Sequence, residues 1–199
     1  AESPLFPEDV EPVRRAFAAL PDDQQGQWVS ALARKVPEGQ MREIARQVAP
    51  TDRALSLAFQ VGAGASALGT PVATMILVGR SVLADKKAGA ADPNNVKAVT
   101  QQERADMIRA LDGDRPGMQS IFGQQREDIL DAAQYIVAGQ ARRGVTSRDV
   151  PGALDLAAGG SLIDWNGKRI PLPYRADADW FRGRLAAYSA DAVRSQAPD

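Results

Sequence analysis

Histidine and cysteine are both absent from the 199 residues. The usual general base near neutral pH and the thiolate nucleophile are therefore missing. Acid–base or nucleophilic chemistry would have to rest on Asp, Glu, Lys, Tyr, Ser or Thr. Glycoside hydrolysis needs two carboxylates flanking one bond, and two pairs invite that reading: Glu127 with Asp128, and Asp177 with Asp179. Successive residues on a helix point in different directions, so Glu127 and Asp128 cannot readily share a substrate. Asp177 and Asp179 fall at a helix start, where acids complement the dipole. Both pairs read as structural. The glycines of Gly62-Ala-Gly-Ala-Ser-Ala-Leu-Gly69 lack the Lys and Ser/Thr, or the preceding strand, that a phosphate loop requires. Close helix packing explains them better. The sequence therefore predicts no catalytic residue, no metal ligand and no cofactor.

The aromatics Trp165, Tyr174, Trp180, Phe181 and Tyr188 crowd one region of a chain that is only 6% aromatic. They could form a platform for carbohydrate or a partner chain. Their spacing favours a small core that pins a hairpin on a helix. Basic pairs at Arg14-Arg15, Lys86-Lys87, Arg142-Arg143 and Lys168-Arg169 are scattered, and the net charge is −1. Solvated helix faces are expected, with no sequence-specific nucleic-acid groove.

The elements that must carry these residues read as mainly α: a multi-helix, orthogonal or bundle-like array with one small β-hairpin near the C-terminus. Val10, Val13, Phe17 and Leu20 recur at helical spacing, as do Trp28, Val29, Leu32 and Val36. Pro37 opens a helix carrying Met41, Ile44, Ala45 and Val48. Thr51 is the expected N-cap of the next, and Thr70-Pro71 restarts another. No residue from Ala54 to Gly79 is charged. A bilayer span needs about 20 apolar residues, but Pro71 and the internal glycines favour two helices packed in protein, with Leu77 and Val78 as candidate contacts for a partner. Residues 85–99 read as a linker between an N-terminal region, 1–84, and a C-terminal region, 100–199. Thr100 to Glu103 forms a capping box. The longest helix should run from about Met118 to Arg143, and Ser147 should cap another. Asn166-Gly167 suits the turn of a hairpin over 162–173, followed by a helix with Trp180, Phe181 and Leu185. The chain begins at Ala1 rather than Met, which leaves a processed product or a piece of a longer protein open, and the stretch from Ala1 to Asp9 is acidic and proline-broken, unlike a signal peptide.

Ala158-Gly159-Gly160, Trp165-Asn166-Gly167-Lys168, Ile170-Pro171-Leu172-Pro173 and Asp177 through Leu185 together resemble the C-terminal module of large phage and prophage internal virion, or ejection, proteins. Val78-Gly79-Arg80 and the stretch from Ile129 to Gly144 are similar to the helical region before that module. The resemblance spans roughly Asp52 to Val193, weakly before Asp112. It implies a virion component that acts by helix-mediated assembly with other virion chains, as a homo- or hetero-oligomer, during genome delivery. It implies residence in the virion, in host cytoplasm before assembly, and at the host envelope on injection. Ala54–Gly79 would be the segment able to meet a membrane. Such proteins often carry a peptidoglycan-cleaving domain. Glu2-Ser3, Gly117-Met118-Gln119 and Ala187-Tyr188-Ser189 resemble the three motifs of lytic transglycosylases, but Glu2 lies over a hundred residues from the second motif, and no catalytic residue carries over. The alternatives are a carboxylate hydrolase using Glu2 or Glu127, and a helical adaptor protein.

Overall fold

The computed structural model describes residues 7–62, 69–84, 99–112, 125–142, 149–158, 162–165, 168–171, 179 and 181–187. The fold is mainly helical. Helices α1 (Pro7–Ala18), α2 (Asp22–Ala33), α3 (Glu38–Val48), α4 (Arg53–Val61) and α5 (Val72–Ala84) come first. Helices α6 (Gln101–Asp112), α7 (Gln125–Arg142) and α8 (Val150–Ala157) follow. Strands β1 (Leu162–Trp165) and β2 (Lys168–Pro171) pair antiparallel, Ile163 opposite Ile170, and the backbone of β2 runs beside α6. Residues 181–187 are helical.

Prolines and aspartates set the helix starts. Pro21 and Pro37 are the N-caps of α2 and α3, and acids occupy the first turn of each, where they offset the exposed N–H groups. Met41, Ile44, Ala45 and Val48 are all buried, so the periodic stripe of α3 faces the core. Two caps differ from expectation. Asp52, not Thr51, caps α4: its Oδ1 accepts the Leu55 amide at 3.0 Å, while the Thr51 hydroxyl donates back to the Val48 carbonyl. Asp149 caps α8 by accepting the Gly152 amide at 2.8 Å, and the expected cap, Ser147, lies outside the described residues. In both places the carboxylate stands nearer the first turn and is the stronger acceptor. The capping box of α6 forms as the sequence suggests: the Glu103 amide donates to the Thr100 hydroxyl, and the Thr100 amide to the Glu103 carboxylate. Helix α7 is described only from Gln125, and Met118 to Gln124 lie outside the described residues.

The central element is α5. Nine of its thirteen residues are buried, from Val72 through Gly79 and Val82, the pattern of a helix surrounded by protein. It packs on α2, α4 and α7. Small residues allow these crossings. At the α2–α5 contact, Gly26 lies so close to Thr74 that a β-carbon would overlap its backbone. The α5–α7 contact is reciprocal: Gly79 abuts the Tyr135 carbonyl, and Gly139 abuts the Met75 carbonyl. That pairing makes the two helices antiparallel, with a glycine of each seated on the backbone of the other. Such approach is open only to a residue without a side chain.

The helical residues described in the uncharged segment belong to two helices, α4 and α5, packed against each other and the surrounding helices. Among the described residues no helix is long and apolar enough to cross a membrane. Residues 85–98 of the expected linker lie outside the described residues. Helices from both sides of it share one core, which joins Phe17, Val29, Ile44 and Leu57 with Leu111, Leu130, Ile136 and Leu154.

Candidate functional site

The best-defined polar constellation lies where α2, α4 and α5 meet. Arg80, near the end of α5, donates from Nη1 to Asp52 Oδ2 at 2.6 Å and from Nη2 to Asp22 Oδ1 at 2.8 Å. Nη2 also reaches Gln25 Oε1 at 3.1 Å. Gln25 is buried and donates its amide to the Leu20 carbonyl at 2.6 Å. Both carboxylates also serve a helix start, since Asp52 caps α4 and Asp22 sits in the first turn of α2. One guanidinium thus ties together the starts of two helices and the α1–α2 turn, a use of its planar fork that a lysine could not reproduce. Beside it opens a cleft of about 720 Å³, bordered by Leu20, Pro21, Asp22, Asp23, Arg80 and Ser81.

A second charge network joins α4, α6 and α7. Arg53 donates to Asp128 and, at 3.3 Å, to Asp131, which also lies 3.9 Å from Arg104. Arg104 donates to Glu127 at 3.0 Å. Arg53 and Arg80 are the first charges on either side of the uncharged segment, and both are held by pairs of aspartates. These contacts fix helix orientation. Among the described residues neither network places a nucleophile against a base, and no group of three acids could hold a metal ion.

The acids singled out in the sequence are separated. Glu127 faces Arg104 and Arg126, whereas Asp128 faces Arg53. Neither borders the cleft. Asp179 pairs with Arg182 one turn on at 2.8 Å, and Asp177 and Glu2 lie outside the described residues. Of the aromatic group, Tyr174, Trp180 and Tyr188 lie outside the described residues; Trp165 ends β1, and Phe181 is half-buried in the C-terminal helical residues. Leu77 and Val78, candidates for contact with a partner, are only 0% and 5% exposed. Both are largely covered within this chain, where α5 packs on α2, α4 and α7, and Val78 borders the cleft beside Arg80.

Among the described residues, the exposed large apolar side chains lie elsewhere. Trp28 is 46% exposed, and Val13 and Leu20 are 36% exposed. The inward face of α2 consists of Gln25, Gly26, Val29 and Ser30, with Trp28 turned outward. Helix α2 has thus buried its small and polar residues and left its largest apolar one at the surface. Gly26 and Ser30 turn the small-residue face of α2 inward, and Trp28, about 200° round the helix from Gly26, faces away from it. Trp28 rests edge-on against Phe17, ring centroids 5.3 Å apart, and Phe17 continues inward to Phe59 at 6.4 Å. The indole is therefore anchored on one side and open on the other. Hydrophobicity alone places Trp28 inside. The signal that places it outside is Gly26 and Ser30 four residues apart, a small-residue face suited to close helix contact. Compared with protein-family models, curated proteins and solved structures, the chain matches none.

Proposed function

We propose that this chain is a non-catalytic assembly component, acting through helix packing with other protein chains, and that its setting is the virion of a phage or prophage. The observation that carries the assembly reading is Trp28: an indole 46% exposed and braced by Phe17. Rigid, half-covered aromatics supply large contact area at little entropic cost, which is why they dominate binding hot spots. The virion setting rests on the resemblance of the C-terminal segment to internal virion proteins. Any membrane contact by Ala54–Gly79 would require α4 and α5 to leave the core.

The test is to probe phage particles released by the source strain for the chain, alongside a peptidoglycan-turnover assay of the purified protein. The chain should co-sediment with particles and leave peptidoglycan intact. Turnover that is lost on Glu127→Gln would instead establish the hydrolase reading. Abundance in the lysate with none in particles would overturn the virion setting.

A further inference from the structure

The seam between α2 and α5 differs in composition from the contacts made by α3 and α4. Helix α3 buries Met41, Ile44 and Val48, and α4 buries Leu55, Leu57 and Phe59. The inward face of α2 is Gln25, Gly26, Val29 and Ser30, with one large apolar residue among the four. Leu32 and Ala33, near its end, are only partly buried. Opposite stand Thr74, which meets Gly26, and Val78 and Ser81, which border the cleft with Asp22 and Gln25. These three residues of α5 follow one another at helical spacing, so the stripe turned toward α2 is narrow and half polar. Two hydroxyls are sealed into the seam. Ser30 is 2% and Thr74 1% exposed, and neither hydroxyl has a hydrogen-bond partner among the described residues. Arg80 adds a polar tie by holding Asp22 and Gln25 of α2.

Polar and apolar seams respond differently to separation. Parting apolar faces returns their area to water, at a cost that grows with that area. On the faces described, parting α2 from α5 uncovers Val29 and Val78, but it also hydrates Ser30 and Thr74, whose unpaired burial disfavours the closed form. Arg80, Asp22 and Gln25 exchange one another for water, so the net loss is small beside that of an apolar seam. We propose that α2 is a releasable strap: it swings off α5, with Arg80 as the latch, while α3, α4, α5 and α7 keep their shared core. Helix α2 hangs between two short links, residues 19–21 and 34–37, which serve as the hinges. Opening bares the Thr74, Val78 and Ser81 stripe. The backbone contacts of α5 with α7 lie at Met75 and Gly79 instead, and they stay closed. The strap goes beyond the assembly reading and stands without it.

The chain has no cysteine, so single introduced thiols report opening in the full-length protein. Ser30→Cys and Thr74→Cys place a thiol on either side of the seam. Ser56→Cys places one between α3 and α4, where Ser56 is 0% exposed and donates to the Ala45 carbonyl. Each is labelled with a maleimide at concentrations where the rate rises linearly with reagent, and circular dichroism checks the fold. Both seam thiols should react at least about a hundredfold faster than Ser56→Cys, because local opening outpaces global unfolding. Low urea should speed Ser56→Cys alone, since only global unfolding exposes much surface. Adding Arg80→Met should speed both seam thiols about tenfold by removing the latch. Adding Leu154→Val, in a helix that packs on α6 and α7, weakens the closed and open forms alike. It should speed Ser56→Cys about fivefold and leave the seam thiols unchanged. Seam thiols that react no faster than Ser56→Cys, that follow it with urea or Leu154→Val, or that ignore Arg80→Met would overturn the proposal. Should a cysteine variant not fold, amide hydrogen exchange of the wild-type chain decides. The Val29 and Ser30 amides should exchange together, faster than those of α5 and α7 and at a rate insensitive to low urea. Protection equal to that of α5 and α7 would overturn the strap.

Discussion

At the scale of single residues, ionic and polar side chains act mostly as fasteners. Glu11 shows this most clearly. Its hydrogen bond from Arg14, then that from Arg15, lower its pKa from the ordinary 4.5 to about 2. A carboxylate depressed on folding contributes stability above its unfolded pKa and loses it as pH falls through the folded value. The contribution should therefore be complete above about pH 4.5 and vanish toward pH 2; following the Glu11 side-chain carboxyl by NMR during acid titration checks this. The Ser30 hydroxyl is buried and, among the described residues, has no hydrogen-bond partner. Leaving such a group unpaired costs about 1–3 kcal/mol, so Ser30→Ala should be neutral or stabilising by up to about 1 kcal/mol in urea unfolding. Residue roles were legible in the sequence where chemistry was local. The Thr100–Glu103 box and the buried stripe of α3 could be read directly, because both depend on spacing within one turn or one helix. Asp52 displaced Thr51 as a cap because adjacent candidates compete, and the winner depends on a backbone angle that no residue type dictates. The outward turn of Trp28 depends on the distance between α2 and α5, which is set by the whole packing.

At the scale of elements, glycines and arginines decide how helices meet. Gly79 and Gly139 let α5 and α7 touch backbone to backbone. Gly79→Ala or Gly139→Ala would push a methyl group into a main-chain carbonyl, and such overpacking costs about 1–3 kcal/mol. Each should lower the urea midpoint accordingly. Gly183→Ala, at a helical position where nothing lies within 4 Å, serves as the control and should be stabilising by up to about 1 kcal/mol. The Arg80 clamp acts on orientation. Removing its guanidinium leaves the Asp22 and Asp52 side chains, 18% and 19% exposed, without their cation. After allowance for partial solvent access, Arg80→Met should cost about 1–3 kcal/mol. Arg80→Lys should recover only part of that loss, since an ammonium cannot span both carboxylates in the same fork. The division of Ala54–Gly79 into two helices was legible from Pro71 and the glycines. The pairing of its flanking arginines with distant aspartates was not, because those partners lie 28 to 78 residues away.

At the scale of the whole molecule, a central helix is enclosed by others, the described ionic networks join helix to helix, and, among the described residues, the large apolar side chains left open lie on α1, α2 and the turn between them. The central proposal is that the protein acts through this α1–α2 surface rather than through a reactive centre. Its most direct test compares wild-type and Trp28→Ser chains for incorporation into particles, with thermal unfolding measured on both. Since Trp28 is already half-exposed, its loss should shift the melting midpoint by no more than about 2–4 °C, the equivalent of about 1 kcal/mol at this size. Incorporation should nevertheless be lost. Trp28→Ser chains that enter particles at the wild-type level would contradict the claim.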